Sequence, residues 1–443
     1  MDPIIDAPVC VRNPALSRYM SIYDDIQRDF DRQISDFGLE VAEDPGADSF
    51  HKRLATLAAR GAVVRNGEKS VYTQWLSPAC EACRTGEDSE TFFISLKCHR
   101  DCFFCFNPNQ ENYAYYLDHQ RDLPAELEEA HRQGKKLKVI GLTGGEPLLY
   151  PAQTLAFFRK ARQLYPKAHI RLYTSGDQLS EQLLSELRDA GLDEIRISIR
   201  LYDLEAGHSR TFDKLGLATR TIPTTMVEMP VLPGTLEQME DVLLRLDSLG
   251  VRGINLLEFC FPMHNAEAFR QRGYRIKPRP YRVLYNYWYA GGLPVMGSEE
   301  ECLQLLDFAL ERGLKLGVHY CSLENKHTGQ IYQQNKGHAL PTVAMQSPHD
   351  AFIKTAKVFG EDVPVILAQL QKRAAPYRLF PLPPQAGEGQ GLEFHPREIT
   401  ALKPAGLEIG LCTHVFEERG SDLFLRELKV EVVHPQGFRL DQL

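Results

Sequence analysis

No apolar run in this chain approaches the ~18 residues that a membrane-crossing helix requires, which argues against a helical membrane protein. The N-terminus, Met1-Asp-Pro-Ile-Ile-Asp-Ala7, lacks the basic region and apolar stretch of a signal peptide. An excess of positive charge is also missing. The chain has 51 Lys and Arg against 59 Asp and Glu, a formal net charge of −8. A long nucleic-acid footprint needs a basic face, so RNA and DNA are disfavoured, although a local basic patch would escape this count. No internal repeat longer than one strand–helix unit is visible. What remains is the composition of an ordinary globular protein, 43% hydrophobic and 25% charged, in 443 residues. That length buries a large core and suggests two to three domains. The expected compartment is the cytoplasm, where ten cysteines stay reduced and free to ligate metal.

Three of those cysteines carry the strongest signal. Cys98, Cys102 and Cys105 stand in Ser95-Leu-Lys-Cys-His-Arg-Asp-Cys-Phe-Phe-Cys-Phe106, a C-x3-C-x2-C spacing that offers three thiolates from one short loop. A four-iron cube normally takes four cysteines, so three leave one iron open to another ligand. The apolar run Thr91–Lys97 ahead of the loop reads as a buried strand, which places the thiols at a strand's C-terminal end, where α/β folds keep their active sites. The bland alternative is part of a structural zinc site, which would need a fourth ligand and more usually shows C-x2-C pairs. Some 40 residues on, Leu137-Lys-Val-Ile-Gly-Leu-Thr-Gly-Gly-Glu-Pro147 reads as a strand ending in Gly144, Gly145 and Glu146. Glycines there admit close approach or a positive φ, and the glutamate offers a carboxylate to a cation.

The two motifs in this order resemble the radical S-adenosylmethionine (SAM) superfamily. The resemblance implies a [4Fe-4S] cluster on Cys98, Cys102 and Cys105 and a SAM site. Gly144, Gly145 and Glu146 would hold the amino group of SAM's methionine part. It implies a mechanism in which the reduced cluster passes one electron to the sulfonium and the adenosyl radical takes hydrogen from a substrate. An electron donor such as a flavodoxin or ferredoxin would supply the electron. Further SAM contacts follow by position. Thr174 opens Thr174-Ser-Gly176, where related enzymes often have Thr-Asn-Gly. Ser198 and Arg200 share one face of a strand end, and Phe104 would line the adenine. A salt bridge with Asp203 or Glu205 is an equal alternative for Arg200. There is no cysteine-rich C-terminal pattern of the relatives with two auxiliary clusters, and no recognisable cobalamin fingerprint.

The expected fold is α/β: a partial (β/α)6 TIM-like barrel over 89–262, like the open barrels of that superfamily, with six strand–helix units and right-handed crossovers. Around it the sequence suggests an N-terminal helical extension, 1–88, with a C-x2-C pair, and a barrel-closing, substrate-side region, 263–378. A Pro- and Gly-rich linker, 379–391, precedes a small β-rich C-terminal unit, 392–443. Candidate catalytic residues are His319 and Cys321, alternating onto one face of a strand ahead of Glu324-Asn-Lys326, and Glu258 at the end of the sixth barrel strand. Structural roles compete for all three, since an isolated histidine or a buried cysteine is often inert. Cys80 and Cys83 admit three readings: half of a second metal or cluster site with Cys260 and Cys321, a redox dithiol, or unrelated thiols. Cys10, Cys302 and Cys412 are isolated and expected to be inert. The functional expectation is a radical SAM enzyme acting on a peptide, protein or small molecule. The competing readings are a small-metabolite cyclase or mutase, and a non-catalytic iron–sulfur electron-transfer or sensor protein.

Overall fold

A computed structural model describes residues 11–43, 47–201, 210–286 and 291–443. The chain forms two compact units: Phe37–Pro280 with Tyr287–His327, and Met1–Asp36 with Tyr281–Asn286 and Thr328–Leu443.

The larger unit begins, within its sheet, with a hairpin of β1 (Val63–Arg65) and β2 (Ser70–Tyr72). Six strands follow: β3 (Ser89–Phe93), β4 (Val139–Thr143), β5 (His169–Thr174), β6 (Glu194–Ile197), β7 (Thr224–Val231) and β8 (Gly253–Glu258). Each pairs in parallel with the next, so the expected six-stranded core is present. A short pair, β9 (Cys260–Phe261) with β10 (Leu293–Pro294), lies outside it. A seventh parallel strand, β11 (Gly317–Cys321), joins β8 and accepts β2 on its other edge. The sheet order is therefore β1-β2-β11-β8-β7-β6-β5-β4-β3.

Local sequence explains the crossover helices. Asp122 caps Leu123–Arg132 through Ala125 N–H (3.2 Å), and Ser180 caps Glu181–Asp189 through Leu183 N–H (3.1 Å). Their apolar faces and the outer faces of the strands form one core that includes Leu142, Phe157, Phe158, Ile170, Leu172, Ile195, Val227 and Leu243. Each such side chain contributes roughly 1.5–3 kcal/mol by leaving water.

The inner, concave face is polar. The short helix Pro78–Ala82 sits on it. Ser77 Oγ donates to Glu194 Oε2 (2.6 Å), and Cys80 Sγ accepts from Arg196 Nη2 (3.4 Å) and Asn255 Nδ2 (3.3 Å). Burial disfavours the Glu194 charge, but Arg196, His169 and Ser77 outweigh it and hold the carboxyl down to about 2. The first barrel strand stops at Phe93, short of the expected Lys97, because the chain turns there to bond helix Tyr113–Asp118: Leu96 N–H donates to Tyr116 O (2.9 Å).

The smaller unit holds the helices Pro14–Asp36 and Asp362–Lys372 and an antiparallel sheet. Its strands are β12 (Met345–Gln346), β13 (Ile353–Phe359), β14 (Tyr377–Pro381), β15 (Gln390–Phe394), β16 (Ile409–Arg419) and β17 (Asp422–Val433). The order is β14-β15-β13-β16-β17, with β12 on β13. The expected linker at 379–391 is instead part of a hairpin: its ends lie in β14 and β15, with Leu379 opposite Leu392 and Pro381 opposite Gln390, and 382–389 connect them. Proline is tolerated because β14 is an edge strand. The β-rich unit thus begins before residue 392. The expected N-terminal extension 1–88 is likewise divided between the two units. No helix among the described residues is long and apolar enough to cross a membrane.

Candidate cluster and ligand site

Beyond β3 the chain leaves regular structure and presents its three motif cysteines on one loop, Cys98 exposed and Cys102 and Cys105 half-buried. Cys105 N–H bonds Cys102 O (2.9 Å), and Arg100 N–H points at Cys98 Sγ (3.4 Å). Burial first pushes the pKa of Cys98 and of Cys105 up; Glu146 and then Cys102 add to it at Cys98, and Cys102 and Cys98 at Cys105, so the three sulfurs lie within electrostatic reach of one another. They do not converge on a point. Among the described residues no three His, Cys, Asp or Glu are gathered tightly enough for a single metal ion.

Glycine makes the loop's seat. A Cβ on Gly145 would lie 1.9 Å from Lys97 O, and one on Gly144 would lie 2.6 Å from Ser95 O. Gly145 N–H donates to Ser95 O (3.0 Å) and Glu146 N–H to Lys97 O (2.9 Å). Asn107 Nδ2 closes the other side on Gly144 O (2.7 Å). Across the loop, His264 Nε2 donates to Cys105 O (2.7 Å) and Asn265 Nδ2 to Phe103 O (3.2 Å). Arg100 Nε (2.7 Å) and His99 Nε2 (2.6 Å) both bond Asp177 Oδ2. Burial opposes the Asp177 charge, but these two partners hold its carboxyl down to about 2.

Glu146, expected to hold a ligand's ammonium, is buried and already hydrogen-bonded within the protein. Its carboxylate is 2% exposed and accepts from Thr174 Oγ1 (2.7 Å), Ser175 N–H (2.7 Å) and Leu148 N–H (3.0 Å). It ties the end of β4 to the end of β5, and Thr174 is consumed in the same link. Ser198 is exposed just beyond β6. Phe104 and Arg200 meet in a pocket completed by Ile199, Leu201, Met229, Pro230 and Leu232. Asp203 and Glu205 lie outside the described residues.

The three substrate-side candidates are placed apart from that pocket and are already engaged. His319 is buried between Ser70 Oγ (2.9 Å from Nε2) and Asn255 Oδ1 (2.9 Å from Nδ1), so neither ring nitrogen is left for chemistry. Burial, Arg196 and Arg65 lower its pKa to about 3. Glu258 is buried, accepts Leu323 N–H (2.8 Å) and pairs with Lys277 (3.3 Å); burial raises its pKa. Cys321 accepts from Asn325 Nδ2 (3.4 Å), and burial pushes its thiol up to about 12. Cys80 is committed to Arg196 and Asn255, and among the described residues no group of three His, Cys, Asp or Glu gathers at Cys80 and Cys83. Cys302 and Cys412 are buried, and Cys10 lies outside the described residues.

Comparison with known proteins bears on this arrangement. Residues 92–270, which hold the cysteine loop, the glycine seat and the parallel strands, match the model of the Radical SAM superfamily. Those residues form a Radical SAM domain. A relative from Methanocaldococcus jannaschii, named as a candidate glycyl-radical enzyme activating enzyme, is 26% identical over 255 residues. The match covers 56% of this chain and 63% of that protein, so the chain spans less than two thirds of the relative's length. Among solved structures, Streptococcus suis SuiB bound to its precursor peptide SuiA aligns with TM-score 0.41 at 11% identity, over 66% of this chain and 57% of that one. The radical SAM coproporphyrinogen III oxidase of Escherichia coli aligns with TM-score 0.37 at 16% identity, over 63% and 67%.

Membership of the radical SAM superfamily implies a [4Fe-4S] cluster and SAM as cofactors. Three site features escaped the sequence reading: Asn107, the His264–Asn265 pair and Asp177. The first had a signal, since a polar Asn107-Pro-Asn109 directly follows the last cysteine. The others act from distant loops, and nothing in their local sequence marks them.

Proposed function

We propose that this chain reductively cleaves SAM at a cluster held by Cys98, Cys102 and Cys105, and takes a hydrogen atom from a peptide or protein. The observation that carries this is the loop itself: three neighbouring thiols, seated on Gly144 and Gly145. When bound, the reduced cluster supplies one electron to the sulfonium of SAM and so a 5′-deoxyadenosyl radical.

The chain's own residues do the placing. Asn107, His264 and Asn265 fix the loop through bonds to backbone carbonyls. Gly144 and Gly145 bring the end of β4 against the loop, where backbone polar groups can meet the amino group of SAM. Phe104, with Ile199, Met229 and Leu232, offers an apolar face for the adenine, and Arg200 in the same pocket, with Ser198 exposed just beyond β6, would serve ribose or carboxylate. Glu146 acts as a positioning residue that locks β4 to β5.

A protein substrate is supported by the Methanocaldococcus jannaschii relative, whose name describes activation of a glycyl-radical enzyme. A flavodoxin or ferredoxin in the cytoplasm would deliver the electron. The test is anaerobic reconstitution, reduction with dithionite and chromatography for 5′-deoxyadenosine. The product should appear with SAM and acquire deuterium from a labelled substrate. A protein that carries its cluster but forms no 5′-deoxyadenosine would be an electron-transfer or sensor protein instead.

A further inference from the structure

Inside the curled sheet, one charged group stands without the partner that burial demands. Arg171 points inward from β5, only 7% exposed, and its Nε is buried with no hydrogen-bond partner. Its guanidinium makes no ion pair or hydrogen bond with any described residue; its one neighbour of note is the Tyr173 ring, 5.4 Å from Cζ. The contrast with Arg196 is sharp. Arg196 also approaches that ring (5.3 Å), yet it bonds Glu194 (2.6 Å), Glu228 (2.5 Å) and Cys80 (3.4 Å). Gly141 on β4 keeps the place of Arg171 open, for a Cβ there would lie 3.1 Å from its Nε. A buried guanidinium is always charged, and leaving it unpaired is costly. Such a cost persists where a ligand is to supply the anion.

A second cation shares the space. Lys326, in the first turn of helix Leu323–Asn335, is half-buried and has no ion pair or hydrogen bond with a described residue. Arg171 and Lys326 both act on the Cys83 thiol and stabilise its charged form, against burial, Cys80 and Glu228, which disfavour it. Cys83 is exposed, just past the short helix Pro78–Ala82 whose Cys80 bonds Arg196 and Asn255 on the inner face of the sheet. The nearby carboxylate of Glu228 is already taken by Arg196 and Asn255 (2.7 Å).

We infer that this space binds an oxyanion of the substrate, a carboxylate or phosphate, between Arg171 and Lys326 beside Cys83. Arg171 lies three residues below Thr174 on β5, roughly 10 Å at the rise of a parallel strand. An anion held there anchors one end of a substrate whose reacting carbon lies toward the cluster loop. This deepens the radical reading given above and rests on it only for that orientation.

The experiment uses the anaerobic, cluster-loaded protein and follows alkylation of Cys83 by iodoacetamide with peptide mass spectrometry. The probes are succinate, inorganic phosphate and a glutamate-rich heptapeptide. An occupied site covers Cys83 and neutralises the two cations, so a probe at ten times its dissociation constant should slow alkylation about tenfold, with saturation. Protection by succinate identifies a small acid as sufficient, by phosphate a phosphorylated group, and by the peptide alone an acidic side chain. The saturable protection should vanish in Arg171→Gln and in Lys326→Gln; if the first variant does not fold, the half-exposed Lys326 decides. No protection by any probe, or equal protection in the variants, overturns the anion site. The same preparations are assayed for 5′-deoxyadenosine. Its formation without protection refutes the anion site alone, and protection without its formation supports the site and refutes the radical reading.

Discussion

Replacing Glu146 separates two roles for a glutamate that the motif alone leaves joined. Its carboxylate accepts three hydrogen bonds at 2.7–3.0 Å while 2% exposed. In Glu146→Ala the backbone N–H groups of Leu148 and Ser175 and the Thr174 hydroxyl lose a charged acceptor in a buried place. At roughly 1–3 kcal/mol for each stranded donor, with partial relaxation, the loss is about 3–6 kcal/mol. For a unit of this size that lowers the Tm by on the order of 10 °C. Glu146→Gln keeps the shape but turns an amide N–H2 toward a donor, so its loss should be roughly half as large. Scanning calorimetry of both variants gives the Tm, and titration calorimetry gives the SAM affinity of whatever cluster-loaded protein survives. An unchanged Tm with weakened SAM binding in Glu146→Gln would refute the positioning role and return the carboxylate to the ligand.

Gly145→Ala should abolish cluster retention, because the new methyl would overlap the Lys97 carbonyl at 1.9 Å and push the loop off its seat; iron analysis of the reconstituted variant checks this, and a full iron complement would contradict it. The folded His319 has its pKa lowered to about 3 from the ordinary 6.5, so its contribution to stability is complete above pH 6.5 and is lost as pH falls from there toward 3. The Tm should fall across that window more steeply in the wild type than in His319→Asn, and parallel curves would show that the histidine does not carry the effect.

The parts of this molecule that were legible in the sequence are those written in short spacing. The cysteine loop and the Gly-Gly turn are local, and the crossover helices announce their own starts through Asp122 and Ser180. What was not legible depends on partners far along the chain. Glu146 turned inward because β5 brings it Thr174 and Ser175, and His319 is sealed by Ser70 from a strand some 250 residues earlier. The prolines near Pro381 suggested a linker because composition does not reveal that they sit on a sheet edge. Arg171 gave no signal either, since an unpaired charge is visible only once every neighbour is placed.

The central claim is that three cysteines hold a cluster with one iron left open for SAM. Electron paramagnetic resonance of the dithionite-reduced protein, recorded with and without SAM, tests it most directly. The claim predicts a reduced-cluster signal that changes when SAM is added and is lost when Cys98, Cys102 or Cys105 is replaced by alanine. A signal indifferent to SAM, or one that survives any of those three replacements, would contradict it.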